Sequence, residues 1–116
     1  MPTDVSLVLV TAPPGEPAAA LARQVVEEGL AACVNLVPGI RSIYRWQGRV
    51  EDESETLLVI KTRTEGVEAL RARVVELHPY SVPEVIAIPV AEGHAPYLAW
   101  VLEQVAARSR GSSSPT

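Results

Sequence analysis

The stretch AACVNLVPGIRSIYRW, at residues 31–46, decides how this chain folds. Its β-branched and apolar side chains predict a strand, which Pro38-Gly39 interrupts as an edge or a bulge. A strand over the whole stretch would be about 50 Å long at roughly 3.3 Å per residue. A domain of 116 residues has a radius of gyration of only about 13 Å. The stretch therefore either folds back at Pro38-Gly39 or projects from the domain as one side of a hairpin arm.

The segments that follow predict the rest of the hairpin. Gln47–Glu53 is mostly polar and contains a glycine, which is typical of a turn, and Glu55–Thr62 returns as an apolar strand. A projecting arm would expose apolar side chains and open strand edges, which proteins usually cover. The exposed set would be Ile40, Ile43, Tyr44, Trp46 and Val50. We therefore expect oligomerisation through this hairpin, and the alternative is a local corner within a monomer.

Apolar periodicity on either side of the hairpin predicts the remaining elements. They are a strand at Val5–Ala12, a helix at Glu16–Glu28, a helix at Glu65–Leu77, a strand at Val85–Val90 and a helix carrying Leu98, Val101, Leu102 and Val105. The order is β-α-β-β-α-β followed by a helix, which is that of the ferredoxin-like sandwich, an α+β fold. We expect a single domain over residues 1–107 and a flexible C-terminal tail over residues 108–116.

Composition limits the classes of function. The formal net charge is −4, which is poorly suited to neutralising phosphates, so we expect no nucleic-acid partner. No apolar run reaches the roughly 18 residues of a membrane span. The N-terminus also lacks the pattern of a signal peptide, so we expect no membrane association and a cytoplasmic location. Cys33 is the only cysteine, which excludes an internal disulfide.

Three residues are candidates for chemistry, and each has a structural alternative. Cys33 is either a buried small hydrophobe or, as a thiolate, a ligand for a soft ion such as Cu(I). His78 closes a predicted helix, where it is either a cation favoured by the helix dipole or an adventitious Cu(II) ligand. Glu84 lies at the start of the last strand, where it is either a solvated charge or the partner of Lys61 or Arg63.

Several other residues complete the set of candidates. Lys61 is the only lysine, which hints at a need for a compact point charge. Tyr97 and Trp100 are three residues apart on a predicted helix, and we expect them to pack at a subunit contact. The acidic run Glu51–Glu53 with Glu55 predicts a solvated hairpin tip, with weak cation affinity as the alternative. No Gly-rich phosphate loop, Ser-His-Asp order or paired-carboxylate motif occurs, so we expect no catalysis.

Taken together, several segments resemble the CutA family, which is named for divalent-cation tolerance. The matching segments follow one another in the same order and spacing over about residues 5–105. They are Leu9–Pro13, Gly29–Gly39, Ser42–Gly48, Ile60–Arg63, Leu77–Ile86 and Tyr97–Trp100. The short C-terminal segment lies outside the resemblance.

The resemblance implies an intertwined homotrimer of ferredoxin-like subunits, similar in architecture to the PII signalling proteins. It also implies a response to metal ions, with binding of copper or another divalent ion and no organic cofactor. The polar residues that the family shares would lie in a cleft between subunits. Carried over to this chain, the expected metal ligands are Cys33, His78 and Glu84, and the expected lining of the intersubunit cleft is Trp46, Lys61, Tyr80, Tyr97 and Trp100.

The leading hypothesis is therefore a cytoplasmic homotrimer of divalent-cation tolerance that binds copper or another divalent metal ion without catalysis. The first alternative is a PII-like sensor that binds a small anionic or zwitterionic metabolite in the intersubunit cleft. The second alternative is a structural trimer in which the shared residues only hold the interface together.

Overall fold

The computed structural model describes residues 3–105. The elements are β1 Val5–Ala12, α1 Glu16–Glu27, β2 Cys33–Trp46, β3 Arg49–Arg63, a 3₁₀ turn Thr64–Gly66, α2 Val67–Leu77, β4 Val85–Pro89 and α3 Ala95–Gln104. The predicted βαββαβ order and the additional C-terminal helix are confirmed. The tail predicted at residues 108–116 lies outside the described residues, as do the first two and last two residues of the predicted domain.

The four strands form one antiparallel sheet in the order β2-β3-β1-β4. The predicted α+β class and ferredoxin-like arrangement are therefore confirmed. Strands β1 and β3 are central, which explains the nearly continuous apolar run of β1. Strands β2 and β4 are the two edges of the sheet in a single chain.

Helices α1 and α2 cover one face of the sheet. Successive side chains of a strand lie on opposite faces, so alternate residues of β1 and β3 form the core. Val8, Val10, Leu58 and Ile60 are fully buried in this way. They pack with the buried side chains of the two helices, which are Ala18, Leu21, Ala22, Val25, Leu70 and Val74. The helical periodicity of the sequence arises from this contact.

In the described residues, the opposite face of the sheet is covered only at one end. There, α3 packs Val101 and Val105 against Val5 and Ala32. We refer to the uncovered remainder as the open face; it carries Leu7, Leu9, Val59, Ile86 and Ile88. Of these, Ile86 is 51% exposed and Ile88 is 43% exposed. An apolar surface of this kind is typical of a protein–protein interface.

Beyond Pro38-Gly39, the paired segments 40–46 of β2 and 49–55 of β3 form a projecting hairpin, here called the arm. Of the two alternatives, a fold-back at Pro38-Gly39 and a projecting arm, the arm is therefore correct. The pairing ends at Trp46↔Arg49, and the turn is Gln47-Gly48 with φ angles of 51° and 82°. Positive φ at both central positions is what a two-residue type I′ turn requires. The arm gives the chain extents of 44 × 31 × 24 Å and a radius of gyration of 15.0 Å.

The predicted turn at Gln47–Glu53 is wrong, because β3 already begins at Arg49. A strand on a projecting arm has no core to face, so it tolerates polar residues on both sides. Cross-strand contacts stabilise it instead. Arg41 donates two hydrogen bonds to Asp52, at 2.9 and 2.8 Å.

Pro38-Gly39 forms a bulge rather than a fold-back. The register shifts between Val37 and Ile40, so both bulge residues stand opposite Thr56 of β3. Gly39 has a φ of 73°, which glycine adopts without a steric penalty. An edge strand also tolerates the missing N–H of proline, and strand β2 therefore continues past the interruption.

An ion pair joins α1 to α2. Arg73 donates hydrogen bonds of 2.8 and 2.7 Å to the two carboxylate oxygens of Glu28. These bonds, with a further hydrogen bond from Gln24, lower the pKa of Glu28 from 4.5 to about 2. This pKa is lower in the folded protein than in the unfolded chain. The ionised pair therefore stabilises the fold at pH values above the unfolded-state pKa of Glu28, and this contribution is lost as the pH falls toward 2.

We expect this linkage to appear in the acid stability of the protein. Between about pH 5 and about pH 2, the melting temperature of the wild type should fall more steeply than that of Arg73→Gln, which lacks the pair. Thermal unfolding followed by circular dichroism measures the difference. Arg23→Gln is the control, since Arg23 is an exposed residue of α1 outside the ion pairs of the described residues. Parallel slopes for the wild type and Arg73→Gln would contradict the prediction.

Candidate functional site

The eight residues that the sequence analysis assigned to one site occupy separate places in a single chain. The first place, here called the lysine cluster, lies where β2, β3 and α3 meet; its members are Cys33, Asn35, Lys61, Tyr97 and Trp100. The second, here called the carboxylate cavity, lies between the arm and the loop after α2; its aromatic and acidic lining is Tyr44, Trp46, Glu53, Glu55, Tyr80 and Glu84. His78 contacts Tyr80 from within the fold.

The lysine cluster is built by the pairing of β2 with β3. Cys33 and Lys61 stand opposite each other in the register. The Lys61 ammonium donates a hydrogen bond to Oδ1 of Asn35. Asn35 is a candidate that the sequence reasoning missed. Its position two residues from Cys33 was the available signal, because alternate residues of a strand share a face.

Helix α3 adds two aromatic rings to this cluster. Burial and the neighbouring Cys33 raise the pKa of Tyr97. The ring centroids of Tyr97 and Trp100 are 5.6 Å apart. Both rings remain about two-fifths exposed, at 41% and 39%. Their expected packing at a subunit contact stays a prediction, and in a single chain the exposed parts of both rings are accessible to a second copy.

The basic residues near the end of β3 are engaged away from Glu84. Arg63 donates to the carbonyl oxygens of Val105 at 2.9 Å and Leu102 at 2.6 Å. The last carbonyls of a helix lack partners within it, so the end of α3 attracts this guanidinium. In the described part of one chain, neither Arg63 nor Lys61 forms an ion pair with Glu84. Of the two alternatives for Glu84, the pairing is therefore absent from the described part of a single chain.

The carboxylate cavity has a volume of about 630 Å³. Tyr44 and Trp46 of β2 form its aromatic wall with Tyr80 from the loop after α2. The described lining contains three glutamates and no lysine, arginine or histidine. Of the predicted site residues, the structure therefore brings Trp46, Tyr80 and Glu84 together here.

Tyrosine hydroxyls hold two of the three carboxylates. Tyr80 donates to Oε2 of Glu55 at 2.7 Å, and Tyr44 donates to Oε1 of Glu53 at 2.9 Å. Burial, with the hydrogen bond to Glu55, raises the pKa of Tyr80. The hydrogen bond to Glu53 raises the pKa of Tyr44 to about 12. Both phenols therefore keep their protons near neutral pH and donate hydrogen bonds to the carboxylates.

Glu55 is not part of a solvated hairpin tip, as the sequence had suggested. It lies at the base of the arm, opposite Ile40 just beyond the bulge, and only 5% of its surface is exposed. A glutamate buried to this degree ordinarily has a cationic partner. Within residues 3–105, Glu55 forms no ion pair, and its hydrogen bond comes from Tyr80.

His78 uses both ring nitrogens inside the chain. Nε2 lies 2.7 Å from the carbonyl oxygen of Thr11 and must donate to it, while Nδ1 accepts from the backbone N–H of Tyr80 at 3.1 Å. This arrangement requires the neutral ring with its proton on Nε2. The ring also stacks on Tyr80, with centroids 4.6 Å apart. To bind a metal ion, His78 would have to give up one of these bonds.

The residues that the structure describes in one chain do not assemble a metal centre. Over the described range there is no group of three or more histidine, cysteine, aspartate or glutamate residues placed to hold one. Cys33, His78 and Glu84, the expected ligands, therefore do not form a shared metal centre within a single chain. Their part in a site shared between chains stays a prediction.

Comparisons with known proteins agree with this fold. Residues 6–104 match the family model described as CutA1 divalent ion tolerance protein, so the chain belongs to the CutA1 divalent ion tolerance family. A "Divalent-cation tolerance protein CutA" of Thermus thermophilus is 54% identical over 97 residues, which cover 84% of this chain and 94% of that protein.

Two plant proteins show how far the similarity extends. The crystal structure of CutA1 from Oryza sativa superposes with a TM-score of 0.88 at 43% identity, covering 92% of this chain and 98% of that one. "Protein CutA, chloroplastic" of Arabidopsis thaliana is 50% identical over 95 residues, 82% of this chain. The match spans 52% of the Arabidopsis protein. Separately, none of the helices in the described part is both long and apolar enough to cross a membrane.

Proposed function

We propose that the protein is a homotrimer of divalent-cation tolerance that binds copper or another divalent metal ion and has no catalytic activity. Membership of the family, matched over residues 6–104, is the observation that carries the proposal. The Thermus thermophilus relative has divalent-cation tolerance in its name, and it is matched along 94% of its length. A cytoplasmic location is part of the same proposal, although the Arabidopsis relative is called chloroplastic.

The surfaces that one chain leaves uncovered support the oligomer. The open face exposes Ile86 and Ile88, and the arm exposes Ile43 and Val50 to 63% and 64%. Strands β2 and β4 also have unpaired edges. Proteins cover such edges and apolar surfaces, and copies of the same chain can do so symmetrically. Light scattering coupled to size-exclusion chromatography should give three times the chain mass of 12.4 kDa.

We propose that the metal site combines residues of different subunits, because the described residues of one chain provide no cluster of three or more histidine, cysteine, aspartate or glutamate residues. Cys33 is partly exposed at an edge strand, where a neighbouring copy can reach it. A trimer contains three copies of this thiol, and a thiolate favours Cu(I).

Replacing Cys33 with serine is expected to weaken Cu(I) binding at least about tenfold under reducing conditions, because the hydroxyl is a much poorer ligand for a soft ion. Competition with a chromophoric Cu(I) chelator measures the affinity. Glu84→Gln tests the second expected ligand in the same assay. His94→Gln is the control, since His94 is exposed and belongs to neither the lysine cluster nor the carboxylate cavity. An unchanged affinity of Cys33→Ser would remove Cys33 from the site.

A PII-like sensor of small molecules is the second candidate, and the carboxylate cavity favours it. A volume of about 630 Å³ falls within the range of small-molecule sites. The anionic metabolite expected from the sequence suits this cavity poorly, because its charged lining is acidic and Lys61 belongs to the lysine cluster. A rise in melting temperature on addition of a ligand would support the sensor.

A further inference from the structure

The arm joins the rest of the chain where the pairing of the sheet is interrupted. The register of β2 and β3 shifts between Val37 and Ile40, so Pro38-Gly39 leaves a gap in the ladder directly below the arm. A bulge of this kind bends the strand that carries it and increases its twist. Beyond the bulge, the two strands of the arm pair only with each other. The backbone pairing therefore leaves the direction of the arm weakly determined at its base.

One side-chain hydrogen bond connects the body of the chain to the base of the arm. Tyr80, in the loop after α2, donates from its hydroxyl to Oε2 of Glu55 at 2.7 Å. Glu55 pairs with Ile40, the first residue after the bulge. Within the described residues, no other side-chain hydrogen bond or ion pair joins the arm to the rest of the chain, because the remaining ones connect its own two strands.

Tyr80 is itself held against the centre of the sheet. Its ring packs on His78 with centroids 4.6 Å apart, and its backbone N–H donates to Nδ1 of His78 at 3.1 Å. Nε2 of the same imidazole donates to the carbonyl oxygen of Thr11 in β1 at 2.7 Å. A continuous path of contacts therefore runs from a central strand through His78 and Tyr80 to Glu55 in the arm.

The end of this path in the arm is protected from water. Glu55 is only 5% exposed, so little water competes for its carboxylate. A hydrogen bond to a carboxylate is roughly twice as strong as one between neutral groups. The bond also lies within one chain, so it can form before a second copy approaches.

We propose that the hydrogen bond from Tyr80 to Glu55, here called the latch, sets the direction of the arm, and that Tyr80 is thereby a positioning residue for the assembly of copies. A latched arm presents its exposed apolar residues, Ile43 and Val50, to a neighbouring copy in one fixed direction. An unlatched arm samples several directions, and only the fraction in the correct one can assemble. The inference rests on the proposed homotrimer, since it concerns how the arm takes part in that assembly.

Tyr80→Phe tests the role of the latch in assembly, because phenylalanine keeps the ring on His78 and removes only the hydroxyl. The protein concentration at which half of the oligomer dissociates should rise at least about tenfold. Analytical ultracentrifugation over a dilution series measures it, at one urea concentration for all variants. Arg41→Gln is the control, since it breaks two hydrogen bonds that lie within the arm. It should change that concentration by no more than about twofold.

Two substitutions of the acceptor separate the latch from the charge of Glu55. Glu55→Gln keeps an oxygen that accepts from Tyr80, so its assembly should stay close to that of the wild type. Glu55→Leu has no acceptor and should weaken assembly as much as Tyr80→Phe. The double variant Tyr80→Phe/Glu55→Leu should be no weaker than either single variant, because all three lack the same bond.

The direction of the arm can also be measured without assembly. Fluorophores on Arg23→Cys in α1 and Arg49→Cys at the tip of the arm, in the Cys33→Ser chain, report the distance between body and tip by single-molecule energy transfer. In single chains isolated by dilution, Tyr80→Phe should broaden the distribution of this distance. Tyr44→Phe is the matched control, since its hydroxyl bonds to a carboxylate within the arm, and it should leave the distribution unchanged.

Three outcomes would overturn the proposal. The first is wild-type assembly of Tyr80→Phe. The second is equal weakening by Glu55→Gln and Glu55→Leu, as would follow if the charge of Glu55 paired with a cation of a second copy. The third is an unchanged distance distribution in Tyr80→Phe. A monomeric wild type would instead overturn the proposed homotrimer and the role of Tyr80 in it, and the energy-transfer measurement would still decide whether the latch sets the direction of the arm.

Discussion

The substitution Ile88→Asp is expected to convert the oligomer into monomers of 12.4 kDa. Ile88 lies in β4 on the open face and is 43% exposed in a single chain. In an assembly that covers this face, an aspartate would be buried among apolar side chains without a cation. Burial of one unpaired carboxylate costs several kcal/mol, and symmetry repeats the cost in every subunit. Sedimentation velocity measures the change in mass.

Val26→Asp is the matched control for this experiment. Val26 is 41% exposed, nearly the same as Ile88, but it lies in α1 on the other side of the sheet. The oligomer should keep its mass when Val26 is replaced. If Ile88→Asp also kept the wild-type mass, the open face would not be an interface between copies.

His78→Phe is expected to lower the free energy of unfolding by about 2–6 kcal/mol. Phenylalanine keeps an aromatic ring against Tyr80 but has no nitrogen atoms. The carbonyl of Thr11 and the N–H of Tyr80 would then lose their partners at a position that is 7% exposed. Buried polar groups without partners each cost about 1–3 kcal/mol. Urea denaturation at a fixed protein concentration measures the loss, since the stability of an oligomer depends on concentration.

His94→Phe separates this effect from a general effect of the substitution. His94 is exposed at the start of α3, and its side chain makes no capping hydrogen bond there. Its replacement should change the free energy of unfolding by no more than about 0.5 kcal/mol. Equal losses for the two variants would show that the two hydrogen bonds of His78 are not the cause.

The hairpin shows which parts of the fold were predictable. Apolar and β-branched residues, which favour strands, identified β2 and the inner half of β3. The outer half of β3, from Arg49, was mistaken for a turn. Its residues are polar because the arm projects away from the core, and there the backbone pairing with β2 and contacts such as Arg41–Asp52 determine the structure.

The candidate site was predictable as a set of residues and not as an arrangement. Trp46, Tyr80 and Glu84 do share a cavity. Cys33 and Lys61 do stand opposite each other, but in a different cluster. No local pattern indicated this division, because it depends on which strand faces which loop.

The sequence by itself determined the order of the elements, the α+β class, the buried faces of α1 and α2, and the family. These follow from periodicity and from motifs, which are local properties of the chain. Only the tertiary structure decided that His78 is neutral with both nitrogens engaged, and that Glu55 is buried with no cationic partner among residues 3–105. The charge state and partners of a titratable side chain depend on groups distant in the sequence, which only the folded chain brings into contact.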